Sequence, residues 1–332
     1  MLKLFTILII IIYISINFRV YNFSNFIINE FMKIEEFNDI INEKYKQNQN
    51  NFCKNINEYH NNEFENKIIL GKAIYENISF NMFIYKKNDI VSDSIYNQNK
   101  WEASCTSNII DGLNYYSKIK NLINKDIYIL DIGGNIGWYT FLLGKYGYNI
   151  ITFEPSKINY YILNKNYCLN NEINVTLINK GLFRKEAKCY IYSSGDNIGN
   201  GMIKCKENTV ENNINNGGII LTKLSNYIHF FENKNLAMIK VDIEGSEGKA
   251  IESGIKLITK YHVPFIFLEF TPELLKVYGT NPEKFLKIFI RNGYKINVLN
   301  FFEKRIYDME DLLKETKNLY IVYTPFLENK DY

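Results

Sequence analysis

The sequence predicts a doubly wound α/β fold, and three observations predict it. Apolar runs and amphipathic segments alternate from residue 127 onward, as in a mostly parallel sheet covered on both faces. A glycine turn, Asp131-Ile132-Gly133-Gly134-Asn135-Ile136-Gly137, follows the apolar Ile127-Tyr128-Ile129-Leu130 and opens the amphipathic stretch from Trp138 to Leu143. An acid, Glu154, closes the next apolar run, Ile150-Ile151-Thr152-Phe153. Strand, tight glycine turn and helix start is how such sheets seat a nucleotide-like ligand. An acid about 20 residues further on is where they hold a ribose.

The elements follow in chain order. Residues 4–16 are nearly all apolar, between Lys3 and Arg19, and with their flanks they reach about 17 residues, the short end of a membrane span. No small-x-small cleavage site follows, so residues 1–20 are expected to be an uncleaved transmembrane signal anchor of a single-pass protein in the secretory pathway. The nearby Lys/Arg counts do not set its orientation. Sequons at Asn22, Asn77 and Asn174 are no more than a chain this rich in Asn contains by chance. Residues 21–66 read as a partly helical stalk or linker, in which Phe31, Ile34, Phe37, Ile40 and Ile41 approximate a stripe and Gln47–Asn51 has no packing value.

A folded domain is expected over residues 67–325. Lys67 to Tyr85 alternates as strands do, Asp89 to Gln98 reads as a loop, and Trp101 to Leu122 as helix. Strands are expected at 127–132, 149–153, 175–179, 188–193, 238–243 and 264–270. Helices are expected at 135–144, 156–170 with Pro155 in its first turn, 222–230, 247–260, 272–278 and 282–292. Ser194 to Gly218, rich in Gly and Asn, reads as a surface insertion or lid that, with the segments before Asp131, would shape the acceptor pocket. The late strands 294–299 and 319–323, joined through a helical 308–317, suggest an antiparallel hairpin at the sheet edge.

Composition sets limits. The chain has 332 residues, 46% hydrophobic and 15% aromatic, enough for a sizeable core. Its net charge is +3 with no concentrated Lys/Arg patch, so nucleic acid is not implied as a partner. The five cysteines (Cys53, Cys105, Cys168, Cys189 and Cys205) are odd in number and lack a C-x-x-C pair. That argues against a zinc site or a dense disulfide framework. Scattered reduced or buried thiols are expected, with one bridge, Cys189 to Cys205, left open for an oxidising compartment.

Three ligands compete for the glycine turn. A triphosphate loop needs G-x-x-x-x-G-K-[ST], which is absent. A dinucleotide turn needs G-x-G-x-x-G, whereas here Asp131 leads an Asp-x-Gly-x-x-x-Gly spacing. A carboxylate beside a pyrophosphate is repelled by on the order of 1 kcal/mol or more in a partly buried site. S-adenosyl-L-methionine carries an ammonium and a sulfonium instead of phosphates, and both favour a nearby carboxylate. Asp131, Gly133, Gly134, Asn135, Gly137 and Glu154 are therefore the cofactor-binding candidates, with Glu154 on the ribose hydroxyls and the glycines giving backbone access.

With these residues the chain resembles the FkbM family of S-adenosylmethionine-dependent methyltransferases. The matching stretches are Leu130-Asp131-Ile132-Gly133-Gly134-Asn135-Ile136-Gly137-Trp138-Tyr139-Thr140, then Phe153-Glu154-Pro155, then Ile239-Lys240-Val241-Asp242-Ile243-Glu244-Gly245-Ser246-Glu247. Weaker echoes lie at Ile90-Val91-Ser92, Trp101-Glu102 and Phe267-Leu268-Glu269-Phe270. The resemblance covers about Lys67 to Tyr323. Gly134 stands where the family commonly has Ala, and Leu224-Ser225 where it usually has Leu-Asp. The resemblance implies a Rossmann-like class I methyltransferase sheet with an antiparallel C-terminal edge strand. It also implies an alcohol hydroxyl as methyl acceptor, on a sugar, a glycan or another small metabolite.

The second acidic block follows an apolar run and falls at the ligand-binding end of its strand. Asp242, Glu244 and Lys240 there are the catalytic candidates, able to position an acceptor hydroxyl and take its proton. Glu247 serves equally well as a helix cap. Glu269, ending the next strand, is a further acceptor-side candidate. His229 and His262 read as structural or surface residues, and no metal is expected. The sequence expectation is thus a membrane-anchored O-methyltransferase. Its rivals are a nicotinamide-dependent oxidoreductase on the same sheet and an inactive, membrane-tethered binding module.

Overall fold

The computed structural model describes residues 43–56, 63–194, 197–205 and 218–328. The expected anchor and most of the stalk lie outside them. Among the described residues, no helix is long and apolar enough to cross a membrane. The chain divides into two units, Met1–Lys44 and Tyr45–Tyr332, and the second contains the sheet, its helices and the site.

In chain order, the second unit begins with helical residues 45–54 (α1), then strands β1 (Ile68–Tyr75) and β2 (Ile78–Tyr85) and helices α2 (Ile90–Gln98) and α3 (Ala103–Lys120). Alternation follows: β3 (Ile127–Ile132), α4 (Trp138–Lys145), β4 (Asn149–Phe153), α5 (Lys157–Leu169) and β5 (Val175–Ile178). A small four-stranded sheet is built from β6 (Gly181–Leu182), β7 (Ala187–Ser194), β8 (Asn197–Lys204) and β9 (Gly218–Thr222). After a 3-10 helix, Leu224–Phe231, come β10 (Asn235–Val241), α6 (Glu247–Lys260), β11 (Phe265–Phe270), α7 (Pro272–Val277), α8 (Pro282–Arg291), β12 (Tyr294–Asn297), α9 (Met309–Leu313), β13 (Lys317–Tyr323) and α10 (Thr324–Glu328).

The main sheet has the order β12-β13-β11-β10-β3-β4-β5. Its central strands are largely apolar because they feed two cores. Ile127, Ile129, Phe265 and Phe267 pack on one face, and Leu130, Ile132, Ile266 and Leu268 on the other, in the period-two pattern of a doubly covered sheet. The pairs β10/β11, β10/β3, β3/β4 and β4/β5 are parallel. From β3 the chain turns to β4 on one side, while β10 flanks it on the other. The crevice at the carboxyl ends of β3 and β10 is the topological switch point where such sheets bind ligands.

The structure departs from the sequence reading at several places. The C-terminal strand β13 is antiparallel, but it lies between β11 and β12 instead of at the edge. Leu319 to Val322 are buried on both faces, which suits an interior strand. The expected loop from Asp89 is helix α2, because the Asp89 carboxylate accepts from Ser92 N at 2.8 Å and caps it. Pro155 stands one residue before the N-cap of α5, Ser156. Residues 197–204 of the expected lid form strand β8, whereas 206–217 lie outside the described residues. The helix expected at 222–230 is the end of β9 followed by the 3-10 helix.

The stalk reading also fails for residues 45–54. Gln49 is fully buried, its amide donating to Val175 O at 3.3 Å and accepting from Leu177 N at 3.2 Å. A glutamine suits that place because it satisfies the open backbone edge of β5, as an edge strand requires. Cys53 is disulfide-bonded to Cys168 of α5, and Cys189 to Cys205 across the β7–β8 hairpin. Reduced, scattered thiols are thus corrected to two bridges and one free thiol, Cys105. The pattern was hidden because Cys53 and Cys168 are 115 residues apart.

Candidate active site

The glycine turn is first a packing device. Gly133 has φ +84°, and a Cβ there would lie 1.9 Å from the carbonyl oxygen of Asp242, where the ends of β3 and β10 meet. A Cβ on Gly134 would lie 2.2 Å from Thr152 Cγ2. Both amides donate to Phe153 O, at 2.9 and 3.1 Å, locking the turn onto the end of β4. Gly133 and Gly134 border the ligand space described next. Gly137 does not: its φ of +101° caps α4, and a Cβ would strike the Phe141 ring.

Beside the turn lies an open cleft of about 770 Å³. Its inner wall is Gly133, Asn135, Phe153, Glu154 and Ser156. The Glu154 carboxylate is only 5% exposed and accepts from Asn135 N at 2.9 Å and Ser156 N at 2.8 Å. Burial pushes its carboxyl up to about 7, against these two backbone bonds and the charge of Lys240. Asn135 holds a left-handed backbone, φ +48°, and its buried Oδ1 has no hydrogen-bond partner among the described residues. The outer wall is β8, through Gly199, Gly201 and Ile203. It is held there by Asn159 Nδ2 donating to Gly199 O at 3.1 Å and by Ile203 N donating to Tyr278 Oη at 2.6 Å.

A second cavity, about 530 Å³, shares Gly133, Asn135, Asp242 and Glu244 with the first. Lys240 runs under its floor. Its Nζ donates to Gly133 O at 2.7 Å and faces Asp242 at 3.4 Å and Asp131 at 3.6 Å. Burial works to discharge this ammonium, but Asp242, Asp131 and Glu102 outweigh it and hold its pKa above the ordinary lysine value. Asp131 lines neither cavity. Buried at 1% exposure, it accepts from Thr140 Oγ1 at 2.6 Å and leaves Oδ1 toward Lys240, so it anchors the lysine from below. Burial raises its carboxyl, with Lys240 opposing.

Asp242, Glu244 and Glu269 converge on the second cavity, each with a carboxylate oxygen within 4.8 Å of the others, a spacing that can share protons or hold a cation. Burial and Asp242 raise Glu244 to about 7, and burial with both neighbours holds Glu269 well above the usual carboxylate range. Glu247 points back to its own helix start, accepting from Ile243 N and Gly245 N at 3.0 and 3.1 Å. Its role is the cap. His229 pairs with Glu232 and His262 stacks on Tyr323, and neither lines either of these two cavities.

The sequence reading sets the 194–218 insertion and the segments before Asp131 around the acceptor; the structure puts Trp101 and Glu102 on the second cavity, but β8 of the insertion on the first, and Tyr139 is a wall residue given no role from sequence. The Trp101-Glu102 echo was the available signal for those two residues. The Gly- and Asn-rich composition signalled a lid, but not the strand that faces the first cleft.

Comparisons with known proteins follow this geometry. The profile of the methyltransferase FkbM domain matches residues 131–296, half of the chain. Comparison with curated protein sequences finds no match. Among solved structures, the chain is similar to WbdD at 10% identity and TM-score 0.43, over 69% of this chain and 42% of that one. It thus spans less than half the length of WbdD. Magnesium protoporphyrin IX methyltransferase (ChlM) from Synechocystis PCC 6803, with bound SAH, is 12% identical at TM-score 0.35, over 70% and 87% of the two chains. An O-methyltransferase from Bacillus cereus, in complex with SAH, is 11% identical at TM-score 0.34, over 70% and 95%. The match to the FkbM profile spans both acidic blocks and the glycine turn between β3 and α4, and by it this chain belongs to the FkbM methyltransferase family.

Proposed function

We propose that the chain is an S-adenosylmethionine-dependent O-methyltransferase acting on a hydroxyl of a sugar, a glycan or another small metabolite. The observation that carries this reading is the pair of joined cavities, one walled by Glu154 and the other by Asp242, Glu244 and Glu269. The cofactor fits the residues present. Glu154 keeps lone pairs beyond its two backbone donors, and Asn135 Oδ1 is a buried acceptor awaiting a donor. Glu154, Asp242 and Glu244 line the first cleft against Lys180, a balance that favours a cationic cofactor over a pyrophosphate.

When bound, the cofactor supplies an electrophilic methyl group. The acceptor hydroxyl would gain that methyl and lose its proton to this chain's carboxylates, the bond to sulfur breaking with its electron pair left on sulfur. Glu244, raised to about 7, is the group to receive the hydroxyl proton on a carboxylate oxygen, with Asp242 beside it. Lys240 fixes the shared wall by binding Gly133 O and facing Asp242. Alignment of oxygen and methyl contributes most of the rate.

Two disulfides support residence in an oxidising compartment, and the apolar residues 4–16 support a membrane anchor there. Protection of the C-terminus from protease in sealed microsomes tests that location. The activity is tested by incubating the full chain with methyl-labelled S-adenosylmethionine and extract fractions, then identifying the product. An O-methyl ether is expected. Label on nitrogen or carbon contradicts the reading.

A further inference from the structure

We infer that Glu102 contacts the methyl acceptor, and that its cavity selects an acceptor with no negative charge beside the reacting hydroxyl. The inference rests on the methyl-transfer reading above. Glu102 precedes α3 as its N-cap, yet its backbone is left-handed, φ +40° and ψ 52°, and its side chain makes no cap hydrogen bond. An ordinary N-cap is extended and turns its side chain onto the helix amides. A non-glycine residue held left-handed is strained, and such strain concentrates at ligand sites.

The Glu102 carboxylate goes to the cavity instead of the helix. It accepts from Tyr139 Oη at 2.8 Å, and both side chains line the cavity beside Trp101. Glu102 makes four carboxylates on this wall, with Asp242, Glu244 and Glu269, against the single ammonium of Lys240. That ammonium is already committed to Gly133 O, Asp131 and Asp242. An acceptor hydroxyl donates to these carboxylates, and the Trp101 face covers its apolar side. A phosphate, sulfate or uronate group would enter a wall of carboxyl groups with no free cation on it to meet the charge. Burial also raises the Glu102 carboxyl, with the charge of Asp242 adding to the effect and the Tyr139 bond opposing it.

The test uses the full chain, methyl-labelled S-adenosylmethionine and total extract. Products are hydrolysed to single units and separated by charge, and S-adenosylhomocysteine binding is measured by calorimetry in parallel. Label is expected on neutral or amine-bearing units. Glu102→Gln is expected to raise KM for the labelled acceptor fraction by about tenfold with a smaller change in kcat, leaving S-adenosylhomocysteine affinity unchanged. Label mainly on phosphorylated, sulfated or uronate units overturns the charge selection. An unchanged KM, or loss of S-adenosylhomocysteine binding in Glu102→Gln, overturns the acceptor contact. No label in any fraction from protein that binds S-adenosylhomocysteine overturns the methyl-transfer reading instead, and the inference with it.

Discussion

The two cavities meet at Gly133, Asn135, Asp242 and Glu244, yet they are built by different means. The first has an inner wall fixed through backbone. Its turn is held by glycines that let strand ends touch, and its one strongly buried acid, Glu154, is fixed by two amides of its own chain. The second is mostly side chain. Four carboxyl groups and a lysine arrive there from the α3 N-cap and the ends of β10 and β11, with Lys240 facing Asp242 at 3.4 Å. A cofactor that is the same for every member of a family suits a wall of backbone. An acceptor that differs between members suits a wall of exchangeable side chains. The difference therefore predicts that damage to one cavity spares the other.

The largest separation is expected from Glu244→Gln, which removes the proton acceptor while keeping its shape. Its kcat should fall by about 10²–10⁴, far more than S-adenosylhomocysteine affinity, which Glu244 touches only through the wall the two cavities share. Loss of both would merge the two cavities into one functional unit. Next is Gly133→Ala, where a Cβ meets the Asp242 carbonyl at 1.9 Å in a left-handed backbone. S-adenosylhomocysteine affinity should drop by about 100-fold, about 2.7 kcal/mol, and the melting temperature should fall with it. An unperturbed affinity would show that the turn relaxes without cost.

The pH dependence should be smaller and of known sign. Glu154 is raised to about 7, so the ionised acceptor for ribose hydroxyls forms as pH climbs through that value. Cofactor affinity should rise by about tenfold between pH 6 and 8, and Glu154→Gln should be flat over that range. The unliganded fold should behave oppositely. Glu154, Glu244 and Glu247 are all raised to about 7, so the folded chain holds protons that the unfolded chain has released. Stability should decline as pH rises from the usual carboxylate range through about 7, then level. Thermal melts from pH 5 to 8 check this.

The smallest effect on binding should come from Cys189→Ser with Cys205→Ser. The bridge closes the hairpin whose β8 strand walls the cofactor cleft. For a loop of this length the chain-entropy estimate is about 3 kcal/mol of stability. Cofactor affinity should weaken only a few-fold, because Asn159 and Tyr278 still hold β8. Acceptor KM should not move.

The same contrast explains what the sequence disclosed. Asp131 to Gly137 and Glu154 stand in one short stretch, so spacing alone revealed the first cavity's inner wall, and β3, β4 and α6 fell where periodicity put them. Asp242 and Glu244 were visible for the same reason. Glu102 was not, because it reaches Tyr139 only through the fold. Nor was Gln49, whose low-complexity neighbours conceal a side chain that satisfies a sheet edge. The glycines were legible as a turn but not in their physical role. Spacing cannot tell a glycine that admits a ligand from one that admits a neighbouring strand, and Gly133 does the second. Asp131 was likewise visible as an acid, while its place beneath Lys240 depends on β3 pairing with β10.

The central claim is that the cleft beside Gly133 and Glu154 binds S-adenosylmethionine. Calorimetry on the full chain tests it most directly, with S-adenosylhomocysteine and NAD titrated separately. The account predicts a saturable single-site heat for S-adenosylhomocysteine that Gly133→Ala weakens by about 100-fold, and none for NAD. Heat with NAD alone, or with neither ligand, would contradict it.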